Sequence, residues 1–442
     1  MGVLLQTFYW NCPSAENKEG KWWDYLSTQV LGIANDGFTA LWLAPCSKAA
    51  EWNSMGYDPY DYFDLGEFDQ RGNASTWFGS KASLAQLIQS AHASKLQLYA
   101  DVVLNHNSGA DAQEPNPLLN GQMRWTKFTP KSKKFNRDWS CFHPSLYEMT
   151  DREAFGDMPD LCHRSPDVYR WMMEYTRWLV EEIGFDGFRF DFVLGFGPWL
   201  VKGISEYRYR RDGGFYSPFC VGECWSGDRD VDEWLDSVNN ANTASVSAFD
   251  FPLHYKLQGF CDHYNFDMTS LTSGTVMEER PLEAVTFVDN HDTIRDSNAI
   301  VSDKLLAYAV ILTHEGYPCV FWQDYFNFKL AGRGTPNGIA ALVAAHEKYA
   351  AGTTSSLYRD HDLYIMQRNG YGDAPGLIAV FNNRGDAWNG AQVQTQWKTR
   401  RLTPVAWWGK TDSSKPADKW TDLNSKADVW AAPRGYAVYV PA

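Results

Sequence analysis

Charged residues are rarely found in apolar strands unless they are paired or have a chemical task, and four short stretches of this chain carry them. "GFRFDFV", residues 187–193, threads Arg189 and Asp191 through Phe188, Phe190, Phe192 and Val193, two positions apart and so on one face of a strand. "VGECW" carries Glu223, "FVDNHD" ends in His291 and Asp292, and "DVVLNH" holds Asp101, Asn105 and His106. Any one of these carboxylates reads equally well as half of a structural ion pair. Three together, with an arginine and two histidines, suit cleavage of a glycosidic bond. That reaction needs a carboxylic acid to protonate the leaving oxygen and a carboxylate on the other side of the sugar. Where the carboxylate attacks the anomeric carbon, the two lie about 5–5.5 Å apart. Arg189 would keep Asp191 ionised and oriented. Glu223, flanked by Cys224 and Trp225, has apolar neighbours that favour the protonated form an acid requires.

The elements that must position these groups alternate. Apolar runs occur at 3–10, 38–45, 96–106, 185–193, 218–225, 247–253, 284–292 and 317–325, and most are separated by segments of helical periodicity. "SKASLAQLIQSAHASK" places Leu84, Leu87, Ile88 and Ala91 on one helical face, and "DVYRWMMEYTRWLVEEIG" ends on Gly184, a natural stop. Eight strands alternating with helices predict a (β/α)8 barrel, in which reactive groups collect at the C-terminal ends of the strands. The competitor is a doubly wound open sheet, which gathers ligands at one switch point. Residues 107 to 165 lack periodicity over too long a stretch for a plain loop and predict a small irregular domain inserted after the third strand. From about 352, short strand-like runs ("LYIMQRN", "GLIAVFNN", "TPVAWWG", "YAVYVP") predict an antiparallel β domain. The expected division is 1–105 with 166–351 as the barrel, 106–165 as the insert and 352–442 as a β-sandwich-like domain.

Composition narrows the partners. A net charge of −14 argues against nucleic acid and anionic membrane, and no run of about 18 apolar residues predicts a membrane span. Aromatic residues make up 15% of the chain, with 20 Trp, more than packing alone asks for; aromatic faces stack well on sugar rings, although any single Trp reads first as core. Met1 leads directly into the strand-like "VLLQTFYW", so the chain is either cytoplasmic or a secreted protein whose leader has been removed, and the expectation leans to the latter. The eight cysteines are scattered in apolar contexts and read as buried free thiols.

"DVVLNH", "GFRFDFV", "VGECW" and "FVDNHD", in this order, resemble the four signature regions of the α-amylase family, glycoside hydrolase family 13. "MPDLC" at 158–162 is similar to a fifth region, "QTFYW" (6–10) and "SMGYDPYDYFDLGEFDQRG" (54–72) resemble other family segments, and "NGYGDAPGLI" resembles a subgroup that includes archaeal members and lies near the plant ones. The resemblance spans nearly the whole chain. It implies that Asp191 is the nucleophile, Glu223 the general acid and then base, and Asp292 the third carboxylate that binds sugar hydroxyls and stabilises the transition state. It further implies that His106 and His291 bind the sugar at the cleavage point, that Arg189 holds the nucleophile, and that Tyr57 stacks on the sugar with Trp10 nearby. Ordinary packing is the alternative for Tyr57 and Trp10. The implied activity is retaining endo-hydrolysis of α-1,4-glucosidic bonds in starch-like glucans by a monomer. The alternatives are an exo-acting maltooligosaccharide-forming enzyme, an α-glucosidase, a transglycosylase or a non-catalytic glucan-binding homologue. Intact Asp191, Glu223 and Asp292 speak against the last.

The resemblance also implies calcium (Ca2+), which takes six to eight oxygen ligands. Asn105 and Asp160 match family ligands, and Asp151 follows by spacing back from Asp160, with Glu153 and Gly195 contributing carbonyls. Turn capping is the alternative for Asn105 and Asp160. The chain departs from the family in two places: many members have Lys-His where Leu194-Gly195 stand, so the lysine's contact beyond the cleavage point is lost, and the fifth region ends in Cys162 rather than Asn. In the archaeal relatives the cysteine here joins two histidines in a second site, with zinc (Zn2+) the implied ion. His143 falls on the first histidine, Glu148 replaces the second, and His163 or a water would be the fourth ligand. A buried thiol is the first reading of Cys162, so these residues stand outside the expected metal list.

Overall fold

The computed structural model describes residues 2–240 and 245–442; Met1 and residues 241–244, which fall within the expected barrel segments, lie outside the described residues. The apolar runs become β1 (Leu4–Gln6), β2 (Ala40–Leu43), β3 (Gln97–Val102), β4 (Gly187–Phe190), β5 (Phe219–Gly222), β6 (Ser247–Phe249), β7 (Ala284–Phe287) and β8 (Tyr317–Phe321). They form a closed barrel in which each strand neighbours its predecessor in the chain and β8 returns to β1. The recorded pairings are parallel. Helices Trp22–Asn35, Lys81–Ala93, Pro166–Trp178, Pro198–Glu206, Asp228–Val238, Phe251–Asp262, Lys304–Thr313 and Ile339–Tyr349 follow the strands in turn. This is the expected (β/α)8 architecture, and closure of the sheet removes the open-sheet alternative.

Local chemistry sets the element ends. Lys81–Ala93 buries Leu84, Leu87, Ile88 and Ala91, and Ser80 caps it, its hydroxyl accepting the Ser83 N–H at 3.2 Å. Pro166–Trp178 runs on through a π turn to Gly184, whose φ of 100° suits a residue without a side chain. The structure corrects three expected strands. The run at 284–292 stops at Phe287, because Asn290 accepts the N–H groups of Asp292 and Thr293, both at 2.9 Å, and opens the short helix His291–Arg295. The run at 247–253 stops at Phe249, because Asp250 accepts the Leu253 N–H at 2.9 Å and starts a helix. The run at 317–325 gives way after Phe321 to a helical turn, Gln323–Asn327. The first two continuations carry side-chain caps, at Asn290 and Asp250, and the third carries none.

The described chain gathers into two compact units, one of 7–34 and 40–249, the other of the residues up to Gln6, Asn35–Thr39 and Asp250–Ala442. Within the first, the stretch without periodicity contains an antiparallel hairpin, Ala112–Asn116 with Gln122–Lys127. Also in this unit, Lys48 is 1% exposed on the two-residue strand Lys48–Ala49. Its ammonium donates to the carbonyl oxygens of Ala74 (2.6 Å), Asn73 (2.9 Å), Ser75 (3.1 Å) and Phe68 (3.3 Å), with the Asp64 carboxylate at 3.5 Å. That strand pairs with Pro59–Asp61, and the connection between them carries Tyr57.

Within the second unit, an antiparallel sheet runs in the order Thr354–Arg359, Leu363–Arg368, Leu377–Asn382, Gly435–Pro441, Arg401–Gly409, Lys419–Trp420. Its residues Ile365, Ile378, Val380, Leu402 and Tyr439 share a core with Val393, Ala427 and Val429 of a second, two-stranded sheet. Among the described residues, no helix is long and apolar enough to cross a membrane.

Candidate active site

Strand register explains the arginine inside β4 and the aspartate directly after it. Arg189 lies beside Asp101 of β3 on one side and Val221 of β5 on the other, and Glu223 follows directly after β5. The Arg189 guanidinium, 1% exposed, donates through Nη1 to Asp101 Oδ1 at 2.8 Å and to Asp191 Oδ1 at 2.6 Å, and its Nη2 stands 2.5 Å from Glu223 Oε1. Burial works against the guanidinium charge, but the carboxylates of Asp101, Glu223 and Asp191 outweigh it and hold its pKa well above the usual value. Asp101 is itself pushed up by burial, and further by Asp191, against the pull of Arg189 and the Tyr57 hydroxyl. Its Oδ2 accepts from Trp42 Nε1 at 3.1 Å and Tyr57 Oη at 2.8 Å.

Glu223 does not sit in the purely apolar surroundings its sequence neighbours suggested. Besides Arg189, the backbone N–H of Phe192 donates to its Oε2 at 3.1 Å, from a residue held at φ 45°. Both contacts favour the carboxylate in the free protein. Tyr57 stacks against Trp10, ring centroids 6.1 Å apart and planes 11° from parallel. His106 has its Nε2 2.9 Å from the Tyr57 carbonyl, and burial lowers its pKa. The exposed Phe155 lies flat on the His106 ring, a contact with no periodic signal in the sequence. Asp101, Trp42 and the Phe192 N–H complete a set for which the sequence reading had named no role; only Asp101 gave a signal there, as a charge inside β3.

In the other unit, His291 and Asp292 open the helix that follows β7. Gln6 Nε2 donates to His291 Nδ1 at 3.0 Å, and His291 Nε2 is 3.3 Å from Asp292 Oδ2. Arg295 Nη2 pairs with Asp292 Oδ1 at 2.8 Å.

The expected calcium ligands divide. Asn105 Oδ1 and Asp160 Oδ1 are both buried with no hydrogen-bond partner. They are neighbours, since the Leu161 N–H donates to the Asn105 carbonyl at 2.8 Å. A Cβ on Gly195 would fall 2.4 Å from Asn105 Oδ1, so only glycine brings its backbone this close. Burial pushes Asp160 up to about 7, with Asp151 adding to the shift. A buried carboxylate and amide oxygen of this kind fit a hard cation. Asp151 faces His143 Nε2 at 3.7 Å and His163 Nδ1 at 4.0 Å, and Glu153 is exposed. Beside them, donor atoms of His143, Glu148 and Cys162 all lie within 4.8 Å of one another. Burial acts to lower the pKa of His143, yet Asp151 and Cys162 raise it to about 10, and His143 in turn lowers the Cys162 thiol against the effect of burial.

A closed parallel barrel with Asp191 directly after its fourth strand and Glu223 directly after its fifth, both on the Arg189 guanidinium, is the framework of a glycoside hydrolase. Residues 28–329 match the alpha-amylase catalytic domain family, and the chain belongs to that family. It is 33% identical over 437 residues to an alpha-amylase of Geobacillus stearothermophilus, covering 85% of this chain and 76% of that protein. To the cytoplasmic alpha-amylase of Escherichia coli (strain K12) it is 29% identical, covering 87% and 88%. The crystal structure of an alpha-amylase from Geobacillus thermoleovorans complexed with acarbose superposes with a TM-score of 0.70 at 16% identity, over 100% of this chain and 98% of that one, a likeness of fold.

Proposed function

We propose that the protein hydrolyses internal α-1,4-glucosidic bonds of starch, glycogen and maltooligosaccharides with retention of configuration. The observation that carries this reading is the single guanidinium of Arg189 touching both Asp191 and Glu223, which supports the close carboxylate spacing of a retaining enzyme. Asp191 attacks the anomeric carbon while Glu223 gives its proton to the leaving oxygen. Glu223 then takes a proton from water, which displaces Asp191. Glu223 must carry its proton when the sugar is bound, and exclusion of water by the sugar favours that form. Asp292 stabilises the transition state and His106, His291, Tyr57 and Trp10 bind the sugar. The test is a product time course on soluble starch by chromatography: a broad spread of oligosaccharides at early times supports endo action, and release of one short product from the outset refutes it.

Calcium held by Asn105, Asp151, Asp160 and the carbonyls of Glu153 and Gly195 would tie the insert, residues 106–165, to the barrel of 1–105 and 166–351, with 352–442 as the C-terminal β domain. The unpartnered oxygens of Asn105 and Asp160 support this. His143, Glu148 and Cys162 form a donor set suited to zinc. Elemental analysis of untagged protein before and after Cys162→Ser tests it: about one zinc per chain, lost in the variant, is expected, and no zinc in the parent refutes it.

A further inference from the structure

We propose that Phe155 is a positioning residue of the sugar-binding centre, acting through His106; the proposal rests on the reading above that this centre cleaves an α-glucan. Phe155 stands in the exposed stretch 152–157, and 40% of its own surface is exposed. Its ring is nevertheless placed. It lies face to face with the His106 imidazole, centroids 4.6 Å apart and planes 9° from parallel, and meets Phe192 edge-on at 5.3 Å and 71°.

Each of those two partners touches the catalytic groups. The Nε2 of His106 fixes the Tyr57 carbonyl, and Tyr57 in turn places its hydroxyl on Asp101 and its ring on Trp10. Phe192 follows Asp191 and gives its N–H to Glu223. One ring from the segment between Asp151 and Asp160 therefore braces both sides of the centre. The bond at Nε2 is the shorter of the imidazole's two polar contacts. The second polar contact, Asn105 Nδ2 to Nδ1 at 3.5 Å, lies at the limit of a hydrogen bond. The flat contact with Phe155 adds a restraint on the orientation of the ring and covers one of its faces. Tyr57 is the stacking surface for sugar, so loosening it weakens substrate affinity more than the proton-transfer steps.

The experiment compares the parent with Phe155→Ala, Phe155→Leu and Phe155→Tyr, reading kcat and KM on a linear maltooligosaccharide together with the unfolding midpoint. Phe155→Ala is expected to raise KM about three- to tenfold with kcat changed less, the range an aromatic pair contributes. Phe155→Tyr, which keeps the flat face, is expected to restore the parent KM, and Phe155→Leu, which keeps bulk alone, is not. An alanine variant with the parent's KM overturns the proposal, as does a leucine variant that matches tyrosine. If Phe155→Ala does not fold, the leucine and tyrosine pair decides alone. A parent that does not cleave starch overturns the reading of the centre instead.

Discussion

Asp101, Asp191 and Glu223 share one cation, so replacing Arg189 removes the counter-charge that these three buried carboxylates have in common. Arg189→Gln is expected to lower stability by about 3–5 kcal/mol in urea unfolding, the cost of breaking a buried ion network from one side. Glu223→Gln keeps shape and loses the proton: turnover of starch falls at least about 1000-fold while glucan binding, followed by calorimetry, stays near the parent's. A fluorinated glycosyl inhibitor that traps the intermediate is expected to label Asp191, seen by mass spectrometry of the peptide spanning 187–193; labelling elsewhere removes Asp191 from the nucleophile's role. The identities of these residues were legible in the sequence because charges inside apolar runs stand out. Glu223's surroundings were not. Its chain neighbours Cys224 and Trp225 are apolar, but the cation beside it is Arg189, which reaches it through the β4–β5 register.

Among the elements, the alternation of strand and helix was legible, and strand ends were not, because they are set by side-chain bonds to the N–H groups that follow, which the pattern of apolar residues does not show. Asn290 and Asp250 settle the matter through side-chain bonds to the following N–H groups. In the C-terminal sheets the four apolar strands could be read, whereas Asn389–Gln394 and Lys426–Ala431, which bury one face only, could not. The packing of helix Lys304–Thr313 carries a pH dependence. His314 follows it with Nδ1 3.0 Å from the Val310 carbonyl and Nε2 3.0 Å from Tyr364 Oη, and burial pushes it from 6.5 down to about 3. The folded form therefore stays neutral where the unfolded chain takes up a proton. Stability is full above pH 6.5 and falls as the pH drops from 6.5 toward 3, by up to about 1.4 kcal/mol per pH unit. Buried His346, pushed down to about 4, adds to this between pH 6.5 and 4. Urea midpoints at descending pH should show the slope, and His314→Gln should flatten it. Lys48→Met, which removes a cation from a cage of four carbonyls and Asp64, is expected to lower stability by about 3 kcal/mol.

At the scale of the molecule, the buried, unpartnered oxygens of Asn105 and Asp160 fit a bound cation. If calcium binds only the folded chain, excess EGTA removes about 4 kcal/mol at a thousandfold excess of ion over Kd, and a fall in the melting temperature by calorimetry is the expected result; an unchanged melting temperature refutes the site. That eight strands close on themselves followed from their number and alternation, but the gathering of the chain into two units did not, because each unit takes pieces from distant parts of the sequence. The cysteines give a way to watch those units. All eight are free and buried. Burial raises the pKa of Cys12, Cys46, Cys141, Cys220, Cys224, Cys261 and Cys319, while His143 draws Cys162 the other way. Six of them belong to one unit, and Cys261 and Cys319 belong to the other. A timed pulse of alkylating reagent thus becomes a clock written into the intact mass. A gain of two, at Cys261 and Cys319, marks the opening of their unit alone, a gain of six marks the opening of the other, and a single jump to eight means that the whole chain opens as one.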